Sequence, residues 1–365
     1  MKKISLKLKS GWLMLKTDMK TGLLKLNHTT GILTGAILIG FALFTGNAIA
    51  GPMLNGAGST FAYPFYTKWF YDYNKETGVR INYQAIGSGG GIQQLFSRVV
   101  DFGASDKPLD EKTLNEHGLI QMPTAAGAVA IAYNIPGVGN GLKFTPELIA
   151  DIYLGKITNW SDPRIKAVNP DVKLPSLAII PVHRSDGSGT TAIFTAYLSD
   201  VNKEWAKNIG HDLSVNWPVG IGGKGNPGVA GFIMKARGSV GYVEFAYVLQ
   251  NKITYGPVEN KSGRFILPSL DSAKDAAAAL NKIPPDFNVM FVNQPGADSY
   301  PIAGFTYLII YKNQTNPVKG EELVKFLHWA YSKGQTMLAP LGYVSIPNNV
   351  IERIKREIKE IKIKE

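Results

Sequence analysis

Hydrophobic and polar positions along the chain follow two periods, one typical of strands and one typical of helices. Residues 79–86 alternate apolar and polar side chains, which predicts a strand with one buried face. Almost wholly apolar runs of strand length lie at 125–136, 177–182 and 305–311. Between such runs, apolar residues recur at helical spacing, as they do over 65–73. Strands that alternate with helices indicate an α/β protein with largely parallel sheets.

Two later segments depart from this alternation. Residues 256–300 are richer in Pro, Gly, Asn and Asp, and only the Ala-rich stretch at 271–280 has a helical composition, so we interpret the segment as a surface excursion. From residue 348 onward, four isoleucines between 351 and 361 recur at helical spacing among charged side chains. This pattern predicts an amphipathic helix that lies on the domain. Binding of that helix to a membrane surface or a partner is the alternative.

The first fifty residues have the composition of an export signal. Seven lysines precede an uncharged apolar run at 31–46, and Ala48-Ile49-Ala50 follows that run. A triplet of this small-x-small type is what a signal peptidase cleaves, and the apolar run is short of the about 20 residues that a membrane span needs. We therefore predict a signal peptide cleaved after Ala50 and a mature protein in the periplasm. An uncleaved anchor is the alternative.

Composition then excludes several classes of protein. The chain has 365 residues, 45% of them hydrophobic, which is enough for two ordinary domains. It contains no cysteine, so disulfides, thiolate metal sites and cysteine nucleophiles are excluded. The formal net charge is +11, but seven lysines and one aspartate place six of these charges in the first fifty residues. The remainder has no contiguous basic face, and we expect no nucleic-acid binding.

Three glycine-rich turns that carry Ser or Thr each precede a helical pattern. They lie at 56–61 (GAGSTF), at 87–91 (GSGGG) and at 186–191 (DGSGTT). A helix N terminus presents unpaired N–H groups and about half a positive charge, so such a turn suits an oxyanion. Taken singly, each turn is more often an ordinary helix cap. None has the spacing of a nucleotide-binding motif, so we expect a small, bare anion as the ligand.

Two charged residues complete the candidate site. Arg184 precedes the third turn and offers a planar fork to an oxyanion, and Asp186 is placed to hold that fork. An ion pair between these two residues alone is the alternative. Asp106 follows an apolar strand pattern, where ligands collect in open α/β sheets. The alternative for Asp106 is an ordinary turn residue before Pro108.

These features resemble the periplasmic phosphate-binding proteins of phosphate ABC transporters. The matching motifs are GAGSTF (56–61), IGSGGG (86–91), DFGASDKPL (101–109), IYLGKITNW (152–160), RSDGSGTT (184–191), GGKGNPGVA (222–230) and GYVEFAY (241–247). The resemblance implies an α/β, two-lobed type II periplasmic-binding-protein fold with a hinge and an interlobe ligand cleft. We expect lobe I at 51–128 and 303–365, and lobe II at 129–302.

The family's phosphate contacts carry over to individual positions of this chain. They fall on Thr60, Phe61, Ser88, Asp106, Arg184, Ser188, Gly189 and Thr190, with Asp186 in a supporting role. Gly89 replaces a frequent Ser, which should cost little, and His183 replaces a frequent Arg, which should slightly lower the positive potential. The resemblance also implies a monomer without cofactor or metal. Its partners would be inorganic phosphate and the membrane permease subunits of an ABC importer.

The chemistry of Asp106 predicts how the site selects its ligand. Phosphate keeps at least one proton at neutral pH, whereas sulfate keeps none. An ionised carboxylate only accepts hydrogen bonds, so it would pair with the phosphate O–H and repel sulfate. We expect discrimination of about a thousandfold or more, and a phosphate dissociation constant of about a micromolar or tighter.

Three other functions remain open from the sequence. A secreted phosphatase would use Ser188 as nucleophile and His183 as base, although no third group is evident to orient the imidazole. A binder of another oxyanion, such as sulfate or molybdate, would have to tolerate Asp106. A phosphate sensor or scavenger that is not coupled to transport would differ only in its docking surface, for which no motif is visible.

Overall fold

A computed structural model describes residues 4–8, 11–15, 52–280 and 282–364. In the N-terminal segment, β1 (Ile4–Leu8) and β2 (Gly11–Leu15) pair as an antiparallel hairpin. The predicted signal-peptide run at 31–46 and the cleavage position after Ala50 lie outside the described residues. Of the helices described, none combines the length and the apolar character that crossing a membrane requires.

From residue 52 onward, strands and helices alternate along the described chain, so the predicted α/β class is confirmed. The strands are β3 (Met53–Gly58), β4 (Arg80–Gln84), β5 (Phe102–Ser105), β6 (Leu119–Tyr133), β7 (Ile180–Arg184), β8 (Ile221–Gly223), β9 (Ser239–Glu244), β10 (Thr254–Gly256), β11 (Val258–Glu259), β12 (Phe265–Ile266), β13 (Ala303–Tyr311), β14 (Asn313–Gln314) and β15 (Lys362–Ile363). The helices are α1 (Tyr63–Thr77), α2 (Ser88–Phe96), α3 (Glu111–His117), α4 (Pro146–Tyr153), α5 (Pro163–Val168), α6 (Gly189–Val201), α7 (Lys203–Asn208), α8 (Gly225–Lys235), α9 (Phe245–Asn251), α10 (Leu270–Ala278), α11 (Pro317–Ala330) and α12 (Asn348–Lys359). Two 3-10 turns, Gly334–Met337 and Ala339–Leu341, precede α12.

A nine-stranded sheet organises the fold. Its order is β4-β3-β5-β13-β6-β9-β7-β8, and β10 pairs with β6 beside this path. The strands are parallel within β4-β3-β5 and within β9-β7-β8, as the alternation predicts. The two central strands, β13 and β6, run antiparallel to each other and to their outer neighbours. The expectation of a largely parallel sheet is therefore wrong at the centre, because β6 and β13 pass between the two parallel groups instead of belonging to either.

The long strand β6 changes its partner part way along. Up to Ala128 it pairs with β13, and from Val129 it pairs with β9. All of its residues except Ile120 are buried. One continuous strand therefore connects the parallel group that contains β3 and β5, through β13, to the parallel group that contains β7 and β9.

The predicted strand at 79–86 is present as β4, but its inner face is only half buried. Its side chains alternate between exposed and partly buried, and Ile81 and Tyr83 pack against the core from the sheet edge. A strand at an edge has a neighbour on one side only, here β3, so its inward side chains are covered incompletely.

Aromatic packing fixes the helix that follows the first glycine-rich turn. Five large side chains of α1 are buried: Phe65, Tyr66, Trp69, Phe70 and Tyr73. Some of these rings lie against α11, and the ring centroids of Phe70 and Phe326 are 5.6 Å apart. Gly78 ends α1 with a φ of 77°, a left-handed conformation that favours glycine. Burial of one helix face against the core holds the turn at its N terminus in place.

Two helices predicted from composition and spacing are confirmed. The Ala-rich stretch forms α10, and its N terminus has a capping box between Ser269 and Ser272. The C-terminal pattern forms α12, whose apolar face, including Ile351, Ile354 and Ile358, is buried against the rest of the chain. The apolar face of this amphipathic helix is therefore part of the core, as predicted, and is not exposed to a membrane or a partner.

Candidate functional site

The three predicted turns lie at the N termini of α1, α2 and α6. The first differs from the expectation in that residues 56–58 form the end of β3, and the chain bends only through 60–62 before α1 begins. The second differs from the expectation, because α2 already begins at Ser88 and its glycines form the first helical turn. In the third, Ser188 caps α6, and its Oγ accepts a hydrogen bond from Thr191 N at 3.1 Å.

Hydrogen bonds donated by main-chain N–H groups bring these turns together from distant parts of the sequence. Gly87 N donates to Gly58 O at 2.9 Å, which joins the second turn to the first. Gly89 N donates to Gly187 O at 2.9 Å, and Gly189 N donates to Ser88 Oγ at 3.0 Å. The second and third turns are therefore in direct contact.

The close approach of the turns explains why glycine occupies positions 89 and 189. A Cβ atom on Gly89 would lie 3.1 Å from Gly187 Cα, which is tight contact, so a Ser at this position would require the neighbouring turn to shift slightly. A Cβ atom on Gly189 would lie 2.5 Å from the Cβ and N atoms of Asp106, closer than real side chains come. Gly189 is therefore required where the third turn meets Asp106.

The eight residues predicted to contact phosphate lie at or beside this junction, and all of them are buried. They come from four segments of the chain: the first two turns, the end of β5, and the region of β7 and α6. Apart from Arg184 and Asp106, they offer hydroxyl or main-chain N–H groups. The junction is therefore rich in hydrogen-bond donors around one carboxylate.

Asp106 holds one carboxylate oxygen within the protein and turns the other toward the third turn. Its Oδ1 accepts hydrogen bonds from Thr306 Oγ1 at 2.7 Å and from Ser59 Oγ. Its Oδ2 faces Gly189, where an added Cβ would lie 2.6 Å from it. Burial raises the pKa of Asp106 to about 6, although the two hydroxyls and the charge of Arg184 act in the opposite direction. Asp106 is therefore mainly ionised above this pH.

Arg184 lies at the end of β7, and Asp186 holds its guanidinium. Arg184 Nε donates to Asp186 Oδ1 at 2.7 Å, and one terminal nitrogen donates to Asp186 Oδ2. Gly225 N also donates to Asp186 Oδ1, at 2.9 Å. Burial alone would raise the pKa of Asp186, but the hydrogen bonds and charge of Arg184 keep it below its ordinary value. The ion pair therefore fixes the fork, and a further terminal nitrogen reaches Thr190 Oγ1 at 3.3 Å.

Several residues at the junction were not predicted as site residues. Ser59 and Thr306 bind Asp106, and Asn226 and Tyr247 bind Thr60. Ser59, Asn226 and Tyr247 lie inside motifs that carried the family resemblance. Thr306 gave a weaker signal, as a hydroxyl in the second position of an apolar run.

Glu244 is a second buried carboxyl beside the junction. Its Oε1 accepts a hydrogen bond from Ala246 N at 2.9 Å and caps α9. Its Oε2 is buried and has no hydrogen-bond partner among the residues that the structure describes. Burial raises the pKa of Glu244 to about 8, and the neighbouring charge of Asp106 adds to the rise. The group is therefore largely protonated at neutral pH.

The phosphatase alternative required a Ser188–His183 pair, and the structure gives both side chains other contacts. Ser188 Oγ caps α6, as described above. The ring of His183 stacks on Trp217 with centroids 4.8 Å apart, and its Nδ1 lies 3.0 Å from Arg184 O. In the described part of the chain these two side chains are not hydrogen-bonded to each other.

Two further features bear on where a ligand could bind. Within 52–280 and 282–364, no group of three or more His, Asp or Glu side chains is arranged to hold a metal ion. A groove of about 520 Å³ lies along the edge strand β4, with Tyr63, Tyr71 and Met53 in its walls. This groove contains none of the predicted site residues, and its walls are mainly apolar.

The site brings together helix N termini that follow strands of both parallel groups, and these N termini surround buried charged residues. This arrangement is typical of one class of protein, the two-lobed periplasmic-binding type. The model of the PBP superfamily domain matches residues 44–333. The chain is 43% identical over 308 residues to phosphate-binding protein PstS of Pasteurella multocida (strain Pm70), covering 84% of this chain and 90% of that protein. It is 38% identical over 326 residues to PstS of Methanocaldococcus jannaschii, covering 82% and 83%. The chain belongs to the PstS family of the PBP superfamily.

Solved structures confirm the expected type II periplasmic-binding fold. A high affinity periplasmic phosphate-binding protein (PfluDING) bound with phosphate aligns with a TM-score of 0.69 at 19% identity, covering 84% of this chain and 93% of that one. A putative phosphate ABC transporter substrate-binding protein from Clostridium perfringens aligns with a TM-score of 0.60 at 19% identity, covering 81% and 100%. At this level of identity the likeness concerns the fold.

The buried carboxyl of Glu244 predicts a pH dependence of stability. Its pKa is about 8 in the folded chain, against the ordinary value of 4.5 for a solvated Glu. A carboxyl group whose pKa is higher in the folded chain than in the unfolded chain contributes stability that is fully present at a pH below its unfolded-state pKa. This contribution is lost as the pH rises through its folded-state pKa. The free energy of unfolding of Glu244→Gln, relative to that of the wild type, should therefore rise by a few kcal/mol as the pH is raised from about 5 to about 9. Urea unfolding at both pH values measures this difference.

Glu360→Gln provides a matched control for the substitution itself, because the side chain of Glu360 is exposed in the folded chain. If Glu244→Gln also followed the wild-type profile, Glu244 would titrate normally in the folded chain.

Proposed function

We propose that this chain binds inorganic phosphate at the junction of the three turns and delivers it to an ABC importer. Membership of the PstS family supports this, as does the name of phosphate-binding protein that its relatives carry. The observation that carries the proposal is Asp106, a buried carboxylate among hydroxyl, amide and guanidinium donors. An anion site needs donors, and one acceptor among them implies a ligand that still holds a proton.

The proposed phosphate contacts are those implied by the family resemblance. Hydroxyl groups of Thr60, Ser88, Ser188 and Thr190 would donate to phosphate oxygens. The main-chain N–H groups of Phe61 and Gly189 and the guanidinium of Arg184 would donate as well. In the structure Gly189 N donates to Ser88 Oγ, so a bound phosphate oxygen would take over this bond as the turns part to admit it.

Asp106 would supply specificity by accepting the proton that phosphate keeps. Its Oδ1 is already bound by the hydroxyls of Ser59 and Thr306, and its Oδ2 faces the third turn. A carboxylate held in this way cannot become a donor without taking up a proton of its own. Sulfate would place an unprotonated oxygen against it in a water-poor site, where repulsion between like charges is strong.

The proposed lobes are 51–128 with 303–365, and 129–302. The exchange of partners along β6, between Ala128 and Val129, supports the first boundary. The start of β13 at Ala303 supports the second.

With these boundaries the predicted contacts divide between the lobes. Thr60, Ser88 and Asp106 belong to lobe I, and Arg184 and the third turn belong to lobe II. The anion would therefore bridge the lobes, and binding would favour the closed state through a hinge motion.

We also propose that the chain acts in the periplasm as a monomer, after cleavage of residues 1–50. The apolar run and the Ala48-Ile49-Ala50 triplet support export, and one protein of the same fold is described as periplasmic. The permease subunits of the importer are the proposed protein partners. Sensing or scavenging of phosphate without transport is the alternative.

The direct test of phosphate binding is calorimetric titration of the purified protein with phosphate and with sulfate at about pH 8. At this pH Asp106 is mainly ionised and phosphate retains one proton. We expect a dissociation constant of about a micromolar or tighter for phosphate, and a dissociation constant for sulfate that is higher by about a thousandfold or more. Absence of phosphate binding would rule out the proposed function.

The role of Asp106 predicts the behaviour of Asp106→Asn. The amide adds donors in place of an obligatory acceptor, so repulsion of sulfate should disappear while the volume stays the same. The ratio of sulfate to phosphate dissociation constants should fall by about a hundredfold or more. Asp212→Asn, a change at an exposed aspartate, should leave this ratio unchanged. A variant at Asp106 that rejected sulfate as strongly as the wild type would show that selectivity arises elsewhere.

A further inference from the structure

Asn226 is a buried amide that contacts two of the proposed phosphate ligands and is not itself among them. It lies in the first turn of α8 and is 0% exposed. Its Nδ2 donates to Thr60 Oγ1 at 3.0 Å and to Thr190 Oγ1 at 3.0 Å. Its main-chain N also donates to Thr60 Oγ1, at 3.1 Å. One residue therefore connects a hydroxyl of the first turn to a hydroxyl of the third.

These contacts use up the acceptor capacity of both threonines. A hydroxyl group has two acceptor positions and one proton to donate. Thr60 Oγ1 accepts both N–H bonds from Asn226. Thr190 Oγ1 accepts one from Asn226 and one from Arg184, the latter at 3.3 Å. Each hydroxyl is then left with its proton, which only an acceptor can receive.

The orientation of the amide is set by its other end. Asn226 Oδ1 accepts a hydrogen bond from Glu244 N at 3.0 Å. A flipped amide would place its NH₂ group against this N–H and its oxygen between the two threonines. In that orientation the oxygen would accept the threonine protons and leave none for a ligand. The main chain of Glu244 therefore fixes Asn226 as a donor toward Thr60 and Thr190.

We propose that Asn226 is a positioning residue that makes the hydroxyls of Thr60 and Thr190 obligatory donors to the bound anion. This inference rests on the proposed phosphate site and adds a residue to its specificity. The two threonines belong to different proposed lobes, so the amide sets the polarity of donors on both sides of the anion. Thr190 and Asn226 lie in the same proposed lobe, so the polarity of Thr190 is fixed before the lobes close. Asn226 meets Thr60 across the cleft, so it fixes the polarity of Thr60 as the lobes close on the anion.

Double-mutant cycles test this role with phosphate as the titrant at about pH 8. In the wild-type background, Asn226→Ala should weaken phosphate binding by about tenfold or more. In a Thr60→Val or a Thr190→Val background, the same substitution has one hydroxyl fewer to orient. Its effect there should be smaller by about threefold or more.

Ser88→Ala provides the matched control background. Ser88 is a proposed phosphate ligand whose Oγ accepts from Asp106 N and Gly189 N, not from Asn226. The loss caused by Asn226→Ala should therefore be the same in this background as in the wild type, within about twofold. A merely structural role of Asn226 would give equal losses in all the backgrounds, and that result would overturn the inference.

A second substitution covers the case in which Asn226→Ala does not fold. Asn226→Ser keeps a small polar group for Glu244 N but is too short to bridge the two threonines, and it enters the same cycles. Circular dichroism and thermal unfolding establish that each variant is folded before titration. Failure of the wild type to bind phosphate would remove the proposed function, whereas phosphate binding with additive losses would remove only the role of Asn226.

Discussion

The candidate site depends on one buried carboxylate that is kept in a surrounding of donors. Removal of Asp106 from water disfavours its charged form, and two hydroxyl groups on Oδ1 together with the charge of Arg184 offset part of this cost. The remaining oxygen faces the third turn, where no side chain other than hydrogen fits at Gly189. The glycines, the helix N termini and the fixed guanidinium all surround this one acceptor.

The fold serves to bring these groups to one place. β3 and β5 lead to the first turn and to Asp106, while β7 leads to Arg184 and the third turn. In the sheet formed by the described residues, the two parallel strand groups are joined through the central strands β13 and β6. β6 runs unbroken from one group toward the other. In the proposed function, a rotation about this region would move the proposed phosphate-binding residues of each lobe as a unit. A fold of this kind suits a ligand that is held from both sides and then released.

Much of this arrangement could be predicted because it is local in the sequence. Glycine and hydroxyl residues before a helical pattern predict a helix N terminus, and an Arg beside such a turn predicts an anion site. Contacts made by single polar side chains in apolar strands were missed, as Thr306 and Glu244 show. Asn226 was missed for a related reason, since nothing in its own turn indicates that it reaches two distant threonines. The antiparallel centre of the sheet was missed because an apolar run gives no strand direction.

The most direct test of this account is a crystal structure of the protein with bound phosphate at about pH 8. The account predicts that a carboxylate oxygen of Asp106 lies about 2.5–2.7 Å from one phosphate oxygen, the separation of a charge-assisted O–H···O⁻ bond. The other phosphate oxygens should meet only donors, including the hydroxyls of Thr60 and Thr190. A carboxylate turned away from the bound ion would contradict the central claim.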